Sequence, residues 1–164
     1  ASWKAADWLS LNASASYVDA KYRDYANAPQ APEIDAASAP NQDLSGVQLA
    51  GVPKFTYTLG ADLQQPLGGW AGDDKEVYLH ADYSHRSSFN TSVSNSAYAQ
   101  VPAFGLLNAR IGVRDADRRW DLSVWARNLA NKDYFQSLTA GATGLVTGIV
   151  GEPRTAGVTL RTSL

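Results

Sequence analysis

Side-chain polarity alternates residue by residue over six stretches of this chain, and this period of two limits its fold more than any other feature. In each stretch the apolar residues fall on one face and polar or small residues on the other, as on a half-buried β-strand. Helical spacing fits none of them, and only Tyr78 and Trp125 are large aromatic residues on the polar faces. The sequence therefore predicts an all-β protein with strands at residues 9–17, 55–64, 77–84, 107–113, 120–127 and 155–161.

The connections between these strands alternate in length. Long polar or Gly-rich segments at 23–52, 88–102 and 130–153 alternate with short turns at 67–74 and 114–118. Long loops at one end of a sheet and short turns at the other are characteristic of outer-membrane barrels, although soluble sandwiches can show the same asymmetry.

Aromatic residues are expected to form two bands, as membrane interfaces favour. The band at the short-turn end comprises Trp8, Trp70 and Trp120, and the band at the long-loop end comprises Phe55, Tyr57, Tyr83, Phe104 and Tyr134. Two interpretations remain open at this point: a membrane barrel wall, or a soluble antiparallel sandwich whose apolar face is an ordinary core.

Composition excludes several other classes. A net charge of −2 argues against nucleic-acid binding, and no apolar run is long enough for a spanning helix. The absence of Cys excludes disulfides, thiol catalysis and Cys-zinc sites, and a start at Ala1 without any Met suggests a processed protein or a fragment. Six strands cannot close a membrane barrel, for which about eight are needed, so we expect a larger wall or several copies.

No catalytic or metal site stands out. His80 and Asp82 share a face but have no third ligand, and the turn with Asp73, Asp74 and Glu76 lacks calcium-loop spacing. No Ser, His or Asp has the context of a nucleophile elbow or triad. We expect no enzyme, no metal and no cofactor.

The C-terminal third of the chain carries a combination of motifs. A Trp-led strand ends in Asn-Leu, a Tyr-Phe pair follows, and Gly-x-Pro-Arg opens the final strand; the residues are Trp120, Asn128, Leu129, Tyr134, Phe135, Gly151, Pro153 and Arg154. We interpret them as structural: Asn128 closes a bend, Pro153 is the first residue of a strand and Arg154 anchors that strand. Together with Gly-Val-Pro-Lys-Phe at 51–55, this combination resembles TonB-dependent outer-membrane receptors.

The resemblance implies a transmembrane antiparallel β-barrel of 22 strands, with residues 1–164 as its last six strands and Ala1 on the periplasmic side. The plug domain and the TonB-coupling segment are expected outside these residues. Location in the outer membrane of a Gram-negative bacterium follows, with membrane lipid, the plug, the remaining strands, the TonB complex and an external ligand as partners. Family members usually end in an aromatic residue, whereas this chain ends in Leu164.

The resemblance also gives the two faces a direction, because the apolar face then meets lipid. The polar residues expected to line the lumen are Asp62, His80, Asp82, Arg110, Asp121, Arg127 and Arg161. Ligand contact is expected at the long-loop end, where aromatic and cationic groups suit bulky anionic ferric chelates. The candidates are Tyr22, Arg23, Tyr25, Arg86, Phe89, Tyr98 and Tyr134.

Three functions follow from these observations. The first is the C-terminal wall of a TonB-dependent active transporter, with a ferric siderophore as the default substrate and cobalamin, nickel complexes or oligosaccharides as alternatives. The second is a passive or structural membrane barrel assembled from short chains. The third is a soluble β-sandwich binding module, which would bury Leu107, Ile111, Leu122 and Val124 in protein.

Overall fold

A computed structural model of the chain describes residues 1–34, 41–68, 74–141 and 143–163. Its regular structure consists of strands and one short 3₁₀ helix, Ala97–Ala99. The strands are β1 (Ser2–Ala6), β2 (Leu9–Tyr17), β3 (Ala28–Pro29), β4 (Asn41–Gln42), β5 (Phe55–Pro66), β6 (Lys75–Arg86), β7 (Phe89–Asn90), β8 (Gln100–Val101), β9 (Phe104–Asp115), β10 (Trp120–Arg127), β11 (Phe135–Ala140), β12 (Val146–Val150) and β13 (Thr155–Thr162). None of the described residues forms a helix that is long and apolar enough to cross a membrane.

One antiparallel sheet contains all six predicted strands, in the order β1-β2-β5-β6-β9-β10-β13. It has seven strands rather than the predicted six, because β1 was missed. Only five residues long, β1 has a register shift between Lys4 and Ala6, so it is too short and irregular to show a period of two.

The missed strand also corrects the expected position of Ala1. The N–H of Ala13, halfway along β2, donates to the carbonyl of Ala1 at 2.9 Å. The chain thus starts beside the middle of β2 and runs down β1 to the short turn at Asp7 and Trp8. The expectation that Ala1 lies on the periplasmic side, at the short-turn end of the sheet, is therefore wrong.

The strand register keeps the apolar residues on one face. One cross-strand row consists of Leu9, Leu63, Leu79, Ile111, Val124 and Val158. No second layer covers this row in the part of the chain that the structure describes: Ile111 is 53% exposed and Val124 52%. A sandwich would bury both side chains, so the soluble-sandwich interpretation is wrong.

Apart from Tyr78 in β6, the buried hydrophobic residues of the described chain lie instead in the three long connections. Each connection contains a small hairpin: β3–β4 in residues 18–54, β7–β8 in 87–103 and β11–β12 in 128–154. We call these three connections the loop cap. Its buried apolar side chains include Ala28, Ala31, Leu44, Phe89, Ala99 and Val101.

Hydrogen bonds fasten the three loops together. In the first loop, the carboxylate of Glu33 accepts from the Ser96 hydroxyl at 2.7 Å and from the Ala97 N–H at 2.6 Å. Between the second and third loops, the Thr91 hydroxyl bonds to the backbone of Leu138. The second loop therefore joins the other two.

The aromatic residues are distributed as expected over the described chain. Trp8 lies in the first short turn and Trp120 begins β10 directly after another, whereas Trp70 lies outside the described residues. At the opposite end, the rings of Phe104 and Tyr134 are 4.5 Å apart. Asp73 and Leu164 also lie outside the described residues.

Candidate functional site: the polar face of the sheet

The seven polar residues expected to line the lumen all lie on one face of the sheet. Alternation within each strand and the register between strands place them there together. Several of them lie opposite one another, as Asp62, His80 and Arg110 do in one row. We call this face the polar face.

His80 lies between two carboxylates in the middle of this face. Its Nδ1 is 2.7 Å from Asp62 Oδ1, and its Nε2 is 3.7 Å from Asp82 Oδ1. Asp82 also accepts a bond from the side-chain amide of Asn108 at 2.7 Å. Because the two ring nitrogens point in opposite directions, the three side chains do not converge on one point, and no metal-binding group of three or more occurs among the described residues.

A second group of charged residues on the polar face consists of two arginine–carboxylate pairs around Tyr78. Arg110 pairs with Asp121 at 3.2 Å, and the Tyr78 hydroxyl donates to the same carboxylate at 2.9 Å. Arg114 pairs with Glu76, and its guanidinium lies 4.9 Å from the centre of the Tyr78 ring. Each arginine is therefore paired with a carboxylate within the sheet.

Two large aromatic residues of the polar face, Tyr78 and Trp125, lie over glycines. A Cβ atom at Gly112 would lie 2.7 Å from the Tyr78 ring, and one at Gly157 would lie 2.6 Å from the Trp125 ring. Trp125 also donates its indole N–H to the Thr159 hydroxyl at 3.1 Å. Each ring therefore covers the sheet backbone on the neighbouring strand, in a place where a side chain would block it.

A recess of about 780 Å³ opens on the polar face at the long-loop end. Its strand side is rich in hydroxyls: Ser14, Ser16, Thr56, Thr58 and Ser84. The hydroxyls of Ser14 and Thr58 are 2.7 Å apart across β2 and β5. The third loop contributes Tyr134 and Gln136.

Arg86 lies in this recess at the end of β6. Its guanidinium carbon is 5.5 Å from the centre of the Phe89 ring and 5.7 Å from that of Phe104, which itself contacts Tyr134. No carboxylate of the described residues forms an ion pair with Arg86. It therefore presents an exposed, positioned positive charge.

The ligand candidates named from the sequence fall into two groups. Arg86 and Tyr134 line the recess, and Phe89, which is only 6% exposed, supports Arg86 from below. The other four lie elsewhere in the loop cap: Tyr22, Arg23, Tyr25 and Tyr98. The rings of Tyr22 and Tyr25 contact each other with centres 4.8 Å apart, and Tyr98 is 55% exposed.

Sequence reasoning did not identify the hydroxyls of the recess as candidate site residues. Their position could have been inferred, because all five occupy polar-face positions in the strand halves next to the long loops. These hydroxyls line a recess only because the third loop folds over that face, and the alternation of polar and apolar residues does not predict how a loop folds.

Asn128 holds the base of the third loop. Its side-chain amide donates to the carbonyls of Lys132 and Glu152 at 2.9 and 3.1 Å, and its Oδ1 accepts from the Lys132 N–H at 2.8 Å. The residue is 4% exposed and has a φ of 47°, a conformation that Asn tolerates better than most residues. These bonds agree with the interpretation of Asn128 as a bend-closing residue.

The other signature residues surround the same loop. The Leu129 N–H donates to the Leu107 carbonyl at 2.7 Å, Phe135 begins β11, and the Tyr134 ring lies over Gly151. Pro153 lies two residues before β13 instead of forming its first residue, so it takes no place in the ladder. Arg154 donates its backbone N–H to Asn131 Oδ1 at 3.3 Å.

Two solved structures similar to this fold are an uptake receptor and a siderophore receptor. The ferric yersiniabactin uptake receptor FyuA from Yersinia pestis aligns with a TM-score of 0.71 and 13% identity over 98% of this chain. The siderophore receptor PiuA from Acinetobacter baumannii aligns with a TM-score of 0.67 and 19% identity over 97%. This chain spans 22% and 20% of those two chains, respectively.

Sequence comparison gives the family. No curated protein matches the sequence. A family model described as "TonB dependent receptor-like, beta-barrel" matches residues 1–129, which is most of the chain and ends just before the Tyr134-Phe135 pair. The chain therefore belongs to the TonB-dependent receptor β-barrel family.

Proposed function

We propose that residues 1–164 are the C-terminal part of the barrel of a TonB-dependent outer-membrane transporter that imports a scarce ligand, a ferric siderophore in the first instance. The observation that carries this proposal is the single-layer sheet with an open apolar face and a charged polar face. Such a sheet satisfies its apolar side in lipid and its polar side in a lumen. Family membership supports the same assignment.

Further strands are needed to complete the wall. In the described sheet, β1 pairs only with β2 and β13 pairs only with β10, so each has an unpaired edge. In a bilayer such edges cost several kcal/mol for each unsatisfied backbone group, and only closure removes them. We propose that a barrel of 22 strands, of which this sheet is the C-terminal part, supplies the partners.

The polar face would then surround a plug domain supplied by another part of the protein. Its ion pairs, such as Arg110 with Asp121 and Arg114 with Glu76, join neighbouring residues of the wall, which keeps it rigid while a plug moves. The TonB complex would act on that plug, and the ligand would approach through the loop cap. The similarity to FyuA, a ferric yersiniabactin uptake receptor, and to PiuA, a siderophore receptor, supports iron chelates as the ligand class.

Uptake of radiolabelled ferric chelates tests this function in the native host. Deleting the gene should abolish uptake of at least one ferric siderophore, and complementation with the complete gene should restore it. Deleting tonB should abolish the same uptake. Uptake that persists without tonB would instead support the passive barrel, and the native mass in detergent would show whether several short chains assemble it.

A further inference from the structure

We propose that the recess at the long-loop end of the polar face binds an anionic aromatic group of the ligand, with Arg86 as its anion-binding side chain. The chemical class is an aryl ring that carries negatively charged oxygen, such as a catecholate or phenolate arm of a ferric chelate. This inference rests on the proposed function and narrows its substrate class.

The charge of Arg86 is the first argument. Three other arginines of the described chain, Arg110, Arg114 and Arg119, are paired with carboxylates. Arg86 is exposed and has no such partner in the described residues. A guanidinium with free N–H groups favours oxygen anions, which it binds through two parallel hydrogen bonds.

The setting of Arg86 is the second argument. The Phe89 and Phe104 rings contact its guanidinium at 5.5 and 5.7 Å, and cation–π contacts of this kind restrict the side chain before any ligand arrives. Because Phe89 is buried, its ring is a fixed support. Less side-chain entropy is then lost when an anion binds.

The walls of the recess are the third argument. Phe104 and Tyr134, with ring centres 4.5 Å apart, offer aromatic surface beside the guanidinium. The Ser84 hydroxyl and the free O–H of the Ser14–Thr58 pair are neutral donors to ligand oxygens, and no carboxylate lines the described recess. Its volume of about 780 Å³ lies within the usual range for small-molecule sites, roughly 300–1,000 Å³. A flat, negatively charged aryl group matches this lining better than a neutral or cationic ligand does.

Affinity measurements on the complete receptor, purified in detergent, test the inference. The probes are a ferric tris-catecholate, which is anionic, and a ferric trihydroxamate, which is neutral. Arg86→Gln should weaken tris-catecholate binding by about tenfold or more, the loss of one charge-assisted hydrogen bond. Arg86→Lys should fall between wild type and Arg86→Gln, because it keeps the charge without the planar fork.

Arg127→Gln is the matched control. Arg127 is also an exposed arginine of the polar face with no ion pair in the described chain, and it contacts the Trp125 ring at 5.6 Å, but it does not line the recess. Its removal should leave tris-catecholate affinity within about twofold of wild type, as expected for a distant charge in screened solution. Outer-membrane abundance and heat-modifiable mobility on gels check that each variant folds.

Three results would overturn the inference. They are unchanged affinity in Arg86→Gln, equal losses in Arg86→Gln and Arg127→Gln, or binding of the trihydroxamate alone by the wild type. In each case TonB-dependent uptake of a ferric chelate would leave the proposed function intact. The absence of all TonB-dependent uptake would overturn the proposed function itself.

Discussion

The sheet and the loop cap place their apolar residues in opposite environments. In the sheet, Ile111 and Val158 are 53% and 69% exposed on a face that no other layer covers. In the loop cap, Leu44, Phe89 and Val101 are 4%, 6% and 0% exposed. The most regular part of the chain is thus the part with the least internal core.

This difference shows what each region needs from its surroundings. The loop cap buries its own apolar side chains and connects its loops through polar contacts such as Glu33 with Ser96. The sheet has hydrogen-bonded strands but relies on an external apolar phase to cover its exposed face. Changes to the sheet should therefore have effects that depend on the membrane, and changes to the loop cap should not.

A charge on the apolar face should cause the largest loss of stability. Ile111→Arg places a guanidinium in the middle of the β9 apolar row and should lower the free energy of unfolding in lipid vesicles by about 2–4 kcal/mol. Gln64→Arg, at an exposed polar-face position, is the control and should change it by less than about 0.5 kcal/mol. Urea titration followed by heat-modifiable electrophoresis of the complete protein measures both, and equal effects would contradict a lipid-facing apolar side.

The base of the third loop should be the most sensitive point of the loop cap. Asn128→Ala removes three side-chain hydrogen bonds and forces Ala into a φ of 47°, for an expected local loss of about 2–3 kcal/mol. Hydrogen exchange over residues 128–154 should accelerate accordingly. Asn131→Ala has a similar backbone cost, with a φ of 50°, but loses only the 3.3 Å bond from the Arg154 N–H. It should have a smaller effect, and equal acceleration would show that the side-chain bonds of Asn128 are not what holds the loop.

Acid should loosen the contact between the first and second loops, with the smallest effect of the three. Burial alone would raise the pKa of Glu33, but the bonds from Ser96 and the Ala97 N–H outweigh it and lower the pKa below the ordinary value of 4.5. Because docking lowers this pKa, the ionised carboxylate stabilises the docked loops when the pH is above the ordinary pKa of 4.5. The stabilisation is lost as the pH falls through the folded-state pKa. At neutral pH the contact should be complete.

Spin-label distances measure this loosening. Labels at Asn27→Cys and Val93→Cys, one in each loop, should give a narrow distribution at neutral pH that broadens on acidification. In a Glu33→Gln background the distribution should no longer depend on pH in this range. An unchanged pH dependence in that variant would assign the loosening to another group.

The six longer strands could be predicted because their faces are determined by residue type at successive positions, as at Leu122, Ser123 and Val124. β1 could not be predicted, because its five residues include a bulge and are too few to show alternation of polar and apolar side chains. The β3–β4 and β7–β8 hairpins of the loop cap could not be predicted either, since strands of two residues have no period and depend on contacts such as that between Thr91 and Leu138. The longer β11–β12 hairpin, with strands of six and five residues, was missed because its segment was expected to be a loop.

The candidate site also has a part that could be predicted from the sequence and a part that could not. Arg86 was identifiable from the sequence as a cation next to a long loop, and Asn128 from its place in the family signature. The absence of an ion pair at Arg86 and the burial of Phe89 depend on how the second and third loops fold over the sheet. The sequence therefore supplied the residue types of the site, and the loop packing determined which of them lie together.

A single-cysteine scan of β10 tests most directly whether the apolar face meets lipid. Residues 1–164 contain no cysteine, so each position from 120 to 127 can be labelled alone in the complete receptor in lipid vesicles, once any cysteine outside these residues has been replaced. Spin labels at 122, 124 and 126 should be accessible to oxygen, which dissolves in lipid, and shielded from a water-soluble nickel reagent, in contrast to those at 121, 123, 125 and 127. Labels at 122, 124 and 126 that are shielded from both reagents, or readily reached by nickel, would show that the apolar face of the sheet does not contact the membrane.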